Sequence, residues 1–351
     1  MADVKQANVT TADIARHTGL SKMTVSRVLN NHPYVSDQTR EKVMAAVREL
    51  GFRPNSLARR FFTGKTRLIG LIIPLEYMMS SFYFKEVFQG VREVLEEKDY
   101  DILLHDSNSP KTSPFNKCLE LVKGKLAEGL LMATPMAYDE FPAQLVREGV
   151  PLVVMGETGF GDQVNRVSVP NRRSSENAVQ RLVKAGHRRI AVLTFGAGHV
   201  ESSLRYQGYV DALQKAKIEV DPLLAGVGRY NRGVAYEETR RLLATYPDIT
   251  AMYALNADMA LGAADAIRSI GLSIPEDISL LSFDDCAELE MNNPPIAAVR
   301  QFPIQVGRFS AQRLLNMLDT DTATTIACRL VDTEFIDRPS IAAPSPARRS
   351  S

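Results

Sequence analysis

This chain of 351 residues has little of what metal, redox or membrane chemistry requires. Its three cysteines, Cys118, Cys286 and Cys328, are scattered and form no CxxC pair. An odd, dispersed set of this kind points to buried free thiols rather than a disulfide framework. The five histidines, His17, His32, His105, His187 and His199, are equally dispersed. No ligand cluster arises, so the expectation is no metal and no cofactor. No GxGxxG, P-loop or nucleophile elbow occurs, which argues against an enzyme. No apolar run approaches the roughly 20 residues that cross a bilayer, and no membrane partner is expected. The opening MADVKQANVT lacks the apolar core of a signal peptide, and a cytoplasmic, nucleoid-associated protein is the reading. The ending PSPARRSS is polar, and no leucine heptad precedes it of the kind that assembles tetramers.

What is present is uneven. The net charge of +1 conceals a division. Residues 1–67 carry 12 Lys and Arg against 5 Asp and Glu, whereas the remainder carries 30 against 36. A basic head on an acidic body suits a head that meets a polyanion, although a solvated charged face is also compatible.

Within the head, TTADIARHTGLSKMTVSRVLNN reads as two short helices around a tight turn. Thr11 is the expected cap of a helix reaching Thr18, Gly19 makes the turn and Ser21 caps the second helix. Val25, Val28 and Leu29 give that second helix a buried stripe. Its other side carries Lys22, Met23, Ser26 and Arg27. The N-terminal end of such a helix enters a major groove. Arg27 can fork onto guanine, Lys22 can reach guanine or phosphate, and Met23 can touch a thymine methyl. Thr11, Ser21, Thr24, Ser26 and Asn30 are the expected backbone contacts. A plain helical hairpin with a basic face remains the alternative. A third helix runs from Ser36 to Leu50, with Gly51 as its stop.

The linker RPNSLARRFFTGKTR follows. Pro54, Asn55 and Ser56 suit the start of a helix too short to stand alone. Arg59 and Arg60 can neutralise phosphates, and an aromatic among arginines suits a minor-groove wedge. Phe61 and Phe62 packing against the body is the other possibility. Beyond residue 67, LIGLIIP, YDILLHD, GLLMAT, PLVVMG, RIAVLTF, TAMYAL and ISLLSF are short apolar strands alternating with helical segments such as 86–97 and 177–185. That is the pattern of parallel α/β sheets, with a ligand site at the strand carboxyl ends.

The segment from Thr10 to Arg60 resembles the head of the lactose-repressor/galactose-repressor (LacI-type) transcription regulators. RLIGLIIP, AGHRRIAVLTF, ESSLRYQGYVDAL, LNADMALGAADAI, IPEDISLLSFDD and PPIAAVRQFPIQVGR continue that resemblance in the family's order. It implies an all-α helix-turn-helix head plus an α/β periplasmic-binding-protein-like sensor of two Rossmann-like subdomains, joined by three crossing strands. The implied boundaries are 1–52 for the head, 53–67 for the hinge and linker, and 68–340 for the sensor. The sensor's N-subdomain takes about 68–169 and 302–327, its C-subdomain about 170–301 and 328–340, and 341–351 is a flexible tail.

The resemblance also implies functional residues. Asn55, Ala58, Arg59, Arg60 and Phe61 fall at the hinge positions that enter the minor groove, with Phe61 where the family usually has leucine. Arg205, Asn256 and Asp284 fall where a small polar effector is held. Tyr230 is the aromatic platform, and Gln301 follows the last crossing strand. Arginine, asparagine and aspartate together suit a hydroxyl-rich molecule such as a sugar. The implied whole is a dimeric repressor on a pseudo-palindromic operator, with double-stranded DNA, a sugar-like effector and a second copy as partners. A protein co-regulator in place of the sugar and, remotely, a solute receptor are the alternatives. Several departures stand out. LEYMMSSFYF is longer than usual and carries Met78 and Met79, while Gly156, Pro170 and Ala257 occupy positions that are often Asp. They imply a less acidic pocket at those positions. A larger sugar, a sugar acid held by Arg205, or no small effector fits them better than a standard hexose.

Overall fold

The computed structural model describes residues 9–29, 34–52, 66–75, 81–107, 113–133, 139–319 and 326–345. The chain divides into two units, Met1–Arg67 and Leu68–Ser351.

Among the described residues the first unit has three helices, α1 (Thr11–Thr18), α2 (Lys22–Leu29) and α3 (Asp37–Glu49), around Ile14, Ala15, Val25, Val28, Val43 and Ala46. Thr10, not Thr11, is the cap of α1. The choice between two adjacent threonines is made by Asp13, whose Oδ2 accepts from Thr10 N–H at 2.9 Å and Thr10 Oγ1 at 2.6 Å. That reciprocal arrangement needs a carboxylate three residues after the cap. These bonds, the hydroxyl's first, hold the Asp13 carboxyl below its ordinary range. Gly19 ends α1 at φ +64, where a side chain would be strained. At the end of α3, Gly51 N–H reaches Arg48 O at 3.3 Å and Phe52 N–H reaches Val47 O at 3.0 Å. Both bonds satisfy carbonyls that the helix leaves open, and Phe52 packs back onto the small core.

The second unit contains two six-stranded sheets. Its chain runs β1 (Leu68–Ile73), α4 (Phe82–Glu97), β2 (Asp101–Asp106), α5 (Pro114–Lys123), β3 (Gly129–Ala133), α6 (Phe141–Arg147), β4 (Leu152–Met155) and β5 (Asn165–Ser168). It continues through α7 (Asn171–Ala185), β6 (Ile190–Thr194), α8 (Val200–Lys215), β7 (Ala225–Val227), α9 (Arg232–Thr245), β8 (Ala251–Ala254) and α10 (Ala257–Ser269). Then come β9 (Ser279–Phe283), α11 (Ala287–Glu290), β10 (Ala297–Arg300), α12 (Pro303–Asp319), β11 (Cys328–Leu330) and β12 (Glu334–Ile336). The strand orders are β11-β5-β4-β3-β1-β2 and β12-β10-β9-β8-β6-β7, parallel except for β12 against β10.

Strands buried on both faces explain the unbroken apolar runs of the sequence. Alternate residues feed opposite helix layers. Leu71, Ile73, Leu131, Val153 and Met155 enter one core, while Ile72, Leu130, Met132, Leu152 and Val154 enter the other. The chain passes between sheets at 169–170, 301–302 and 331–333. Cys328–Leu330, assigned from sequence to the second subdomain, instead pairs with β5 in the first sheet. Gln301 therefore lies in the second crossing rather than after the last, and a third crossing comes after it. The first part of the expected tail is also docked: Ala342 N–H donates to Ser279 Oγ at 3.0 Å, and Ala342 O lies 2.8 Å from His187 Nε2.

Helix pairs in this unit approach closely enough to require glycine. A Cβ on Gly90 of α4 would strike the Ile304 carbonyl of α12, and one on Gly307 would strike the Val87 carbonyl in return. Gly208 of α8 faces the Arg172 carbonyl of α7 in the same way. Among the described residues, no helix is long and apolar enough to cross a membrane.

Candidate functional site

The helical unit turns its chemistry outward. Burying Val25 and Val28 of α2 against α1 and α3 forces Lys22, Met23, Ser26 and Arg27 to the exposed side. Met23 is 65 % exposed, so its thioether is free to meet an apolar group such as a thymine methyl. Ser21 caps α2 by accepting from Thr24 N–H at 3.0 Å, and its hydroxyl lies 2.8 Å from the Thr24 hydroxyl. The two residues thus fix the exposed N-terminus of α2 as well as standing beside it. Thr11 is exposed on the first turn of α1. Asn30 and the hinge residues Asn55, Ala58, Arg59, Arg60 and Phe61 lie outside the described residues.

The second unit turns its chemistry inward. A cavity of about 750 Å³ opens at the carboxyl ends of both sheets, and Arg205, Tyr230, Asn256, Asp284 and Gln301 all line it. Arg205 projects from α8 and is 6 % exposed. Its Nε donates to Asn171 Oδ1 at 2.8 Å, its Nη1 donates to Leu255 O at 2.6 Å, and the guanidinium lies 3.9 Å from the Phe283 ring centre. Asp284 Oδ2 stands 3.7 Å from Nη1. Burial opposes the arginine's charge, but Asp284, Tyr230 and Glu201 hold it protonated, above the ordinary range. Arg205 is therefore a strut as well as a wall of the cavity.

Asp284 sits at φ +72, a left-handed backbone that aspartate tolerates better than most residues. Gln301 Nε2 donates to its Oδ1. Burial raises the Asp284 carboxyl, while Arg205 and Gln301 pull it back. Asn256 caps α10, its Oδ1 accepting from Met259 N–H at 2.9 Å. Tyr230 packs in a ring cluster with Phe195 and His199, at 5.1 and 4.9 Å between centres.

His199, Glu201 and Tyr83 are among the lining residues that the sequence reading did not single out. His199 caps α8, and Glu201 lies one turn before Arg205 on the same helix. Tyr83 enters from the first turn of α4. The expectation of a less acidic pocket concerned particular positions. Gly156 and Ala257 do line the cavity without a carboxylate, but Glu201 and Asp258 supply carboxylates from neighbouring positions. Met78 and Met79 lie outside the described residues. No group of three or more His, Cys, Asp or Glu among the described residues could hold a metal ion.

Comparison with known proteins agrees with both halves. Residues 10–55 match the family described as bacterial regulatory proteins, lacI family, and residues 179–341 match a periplasmic binding protein-like domain. The HTH-type transcriptional regulator MalR of Clostridium butyricum is 32% identical over 340 residues, covering 93% of this chain and 98% of that one. CelR of Thermobifida fusca, also an HTH-type transcriptional regulator, is 32% identical over 320 residues, covering 89% and 93%. Among solved structures, the Lac repressor dimer bound to operator and the anti-inducer ONPF superposes with a TM-score of 0.83 at 26% identity, covering 95% and 99%. A CelR–cellobiose complex gives 0.73 at 29% identity over the same shares. A helical head that matches the lacI family, a sensor that matches a periplasmic binding protein-like domain, and 32% identity to a known regulator over 93% of the chain lead to one conclusion: this chain belongs to the LacI family of bacterial transcription regulators.

Proposed function

We propose that this protein is a sequence-specific, dimeric transcription repressor of the cytoplasm whose grip on DNA is set by a small polar molecule in the sensor cavity. The observation that carries the reading is the exposed face of α2, where Lys22, Met23, Ser26 and Arg27 stand together on a helix whose other side is fully buried. Arg27 reads guanine through its two-pronged donor, and Lys22 reads guanine or a phosphate. Ser21, Thr24, Ser26, Thr11 and Asn30 set the register on the phosphates. Two copies present two such helices to the half-sites of a pseudo-palindrome, as two-fold symmetry demands. Residues 53–67 act as the hinge, with Phe61 as a minor-groove wedge between Asn55, Ala58, Arg59 and Arg60.

In the sensor, Arg205, Tyr230, Asn256, Asp284 and Gln301 all follow strands of the second sheet, and a ligand held by them bridges the two sheets when it also touches Tyr83, Gly156 or Ser168 on the first-sheet side of the cavity. Its binding changes the angle between them and so the spacing of the hinges. Coupling of this sort is worth about 1–3 kcal/mol, or about 5–150-fold in DNA affinity. Selection of duplexes from a random library by the purified full chain tests the reading. One enriched inverted repeat is expected. A pool that stays random at moderate salt would contradict it.

A further inference from the structure

The charge in the sensor cavity is unbalanced in a way that selects among small polar molecules. Resting on the proposed reading of this cavity as an effector site, we infer that its ligand is an amine-bearing, hydroxyl-rich cation, such as an amino sugar, with the ammonium seated at Glu201.

Glu201 is 7 % exposed. Its Oε1 accepts from Glu157 N–H at 2.9 Å, and among the described residues its buried Oε2 takes no hydrogen bond. A buried carboxylate oxygen without a donor is costly, and a ligand donor repays it. His199 Nδ1 stands 3.3 Å away, but that nitrogen accepts from Ser202 N–H at 3.4 Å. It therefore offers a lone pair, not a proton, to Glu201. Burial lowers the imidazole's affinity for a proton, which keeps the ring neutral.

The other charges on the inner wall do not cancel Glu201. Asp258 and Asp284 add two carboxylates; Arg205 is the guanidinium facing Asp284, and the opposing charge that Asp258 feels comes from Arg232. The Arg205 guanidinium already serves Asn171 and Leu255. Asp285 is matched separately, by Arg300 at 2.7 Å and Arg338 at 2.6 Å, and Arg308 is matched by Glu93 at 2.6 Å. The excess is felt by Asp258, whose carboxyl is pushed up to about 6 by burial and by the Asp284 and Glu288 charges. A sugar acid would add to this negative field. A neutral sugar would supply a hydrogen bond but leave the charge. An ammonium supplies three donors and the missing positive charge together. Tyr83 and Tyr230 also line the cavity, and burial beside Asp284 and Glu201 keeps both phenols protonated, so the two aromatic rings add no charge of their own and suit a cation nearby.

The test is calorimetric titration of the full chain at neutral pH with matched sugars. Glucose, glucosamine, N-acetylglucosamine and glucuronate form one set, and the galactose and mannose sets are built alike. At least one amine is expected to bind roughly tenfold or more tightly than its hydroxyl, acetylated and acid counterparts. Glu201→Gln should erase most of that preference. Asp258→Asn, at a partly exposed position, should reduce it by a smaller factor and carries the test should the buried variant fail to fold. A neutral sugar or an acid binding as well as its amine would overturn this inference and leave the effector site standing. An amine preference that survives in the folded variants would overturn the seat at Glu201. No binding by any member of any set would overturn both the inference and the effector reading beneath it.

Discussion

Arg27 and Arg205 are the same residue type in opposite settings. Arg27 stands on the exposed side of a helix whose inner stripe is only two valines deep. Arg205 is buried, stacked on Phe283 and bonded to Asn171 and Leu255. The helical head is too small to bury a charge, so its polar chemistry must meet a partner outside. The sheet unit is large enough to hold charges in a cavity at the carboxyl ends of its two sheets, where each one feels its neighbours strongly. An extended surface suits a long polyanion, and a closed pocket suits a small molecule.

If this contrast is right, damage to one unit should spare the other's chemistry. The largest effect belongs to the helix contacts of the body. Gly90→Val or Gly208→Val forces a branched side chain against a neighbouring backbone carbonyl, costing about 3 kcal/mol or more. Calorimetry should show the body's transition displaced downward. Arg27→Ala comes next. It should weaken binding to the selected duplex by about 10–100-fold and relax preference at one base pair, with sugar titrations unchanged. Equal loss for every duplex would make Arg27 a phosphate contact instead.

Two smaller effects sharpen the picture. Thr10→Ala removes the hydroxyl that engages Asp13 and should cost the head about 1 kcal/mol, read as a shift in its helical melt. Asp258→Asn should act on the body and only at higher pH. The Asp258 carboxyl rises on folding from 3.8 to about 6. A group raised in this way favours the native state below its unfolded pKa, and the benefit is lost as pH climbs through 6. The amide therefore stabilises the protein above pH 6, by about 1 kcal/mol once solvent screening is allowed for, and is neutral below pH 4.

Much of this architecture was legible from patterning. Runs such as LIGLIIP and TAMYAL are strands because they are apolar throughout and bounded by turns, and seven of them were found that way. NRVS, AGV, AAVR, CRL and EFI were not, being only three or four residues long. The last two lie at sheet edges, where burial leaves little trace in the sequence. That is why Cys328–Leu330 was placed with the wrong sheet. The cap of α1 was missed by one residue because only the Asp13 side chain distinguishes Thr10 from Thr11. In the cavity, resemblance led to Arg205, Tyr230, Asn256, Asp284 and Gln301. Glu201 was hidden because helical spacing alone does not distinguish a solvated glutamate from a buried one. The burial follows from α8 facing α7 across Gly208 and from the closing of the cavity over its first turn.

The division of labour between the two units is tested most directly by fluorescence-anisotropy titration of the selected duplex with the full chain, with and without the tightest-binding sugar. Specific binding well above that of a random duplex, shifted about 5–150-fold by saturating ligand, is the predicted result. Equal affinity for selected and random duplexes, or a ligand that fills the cavity and leaves the DNA affinity unmoved, would contradict it.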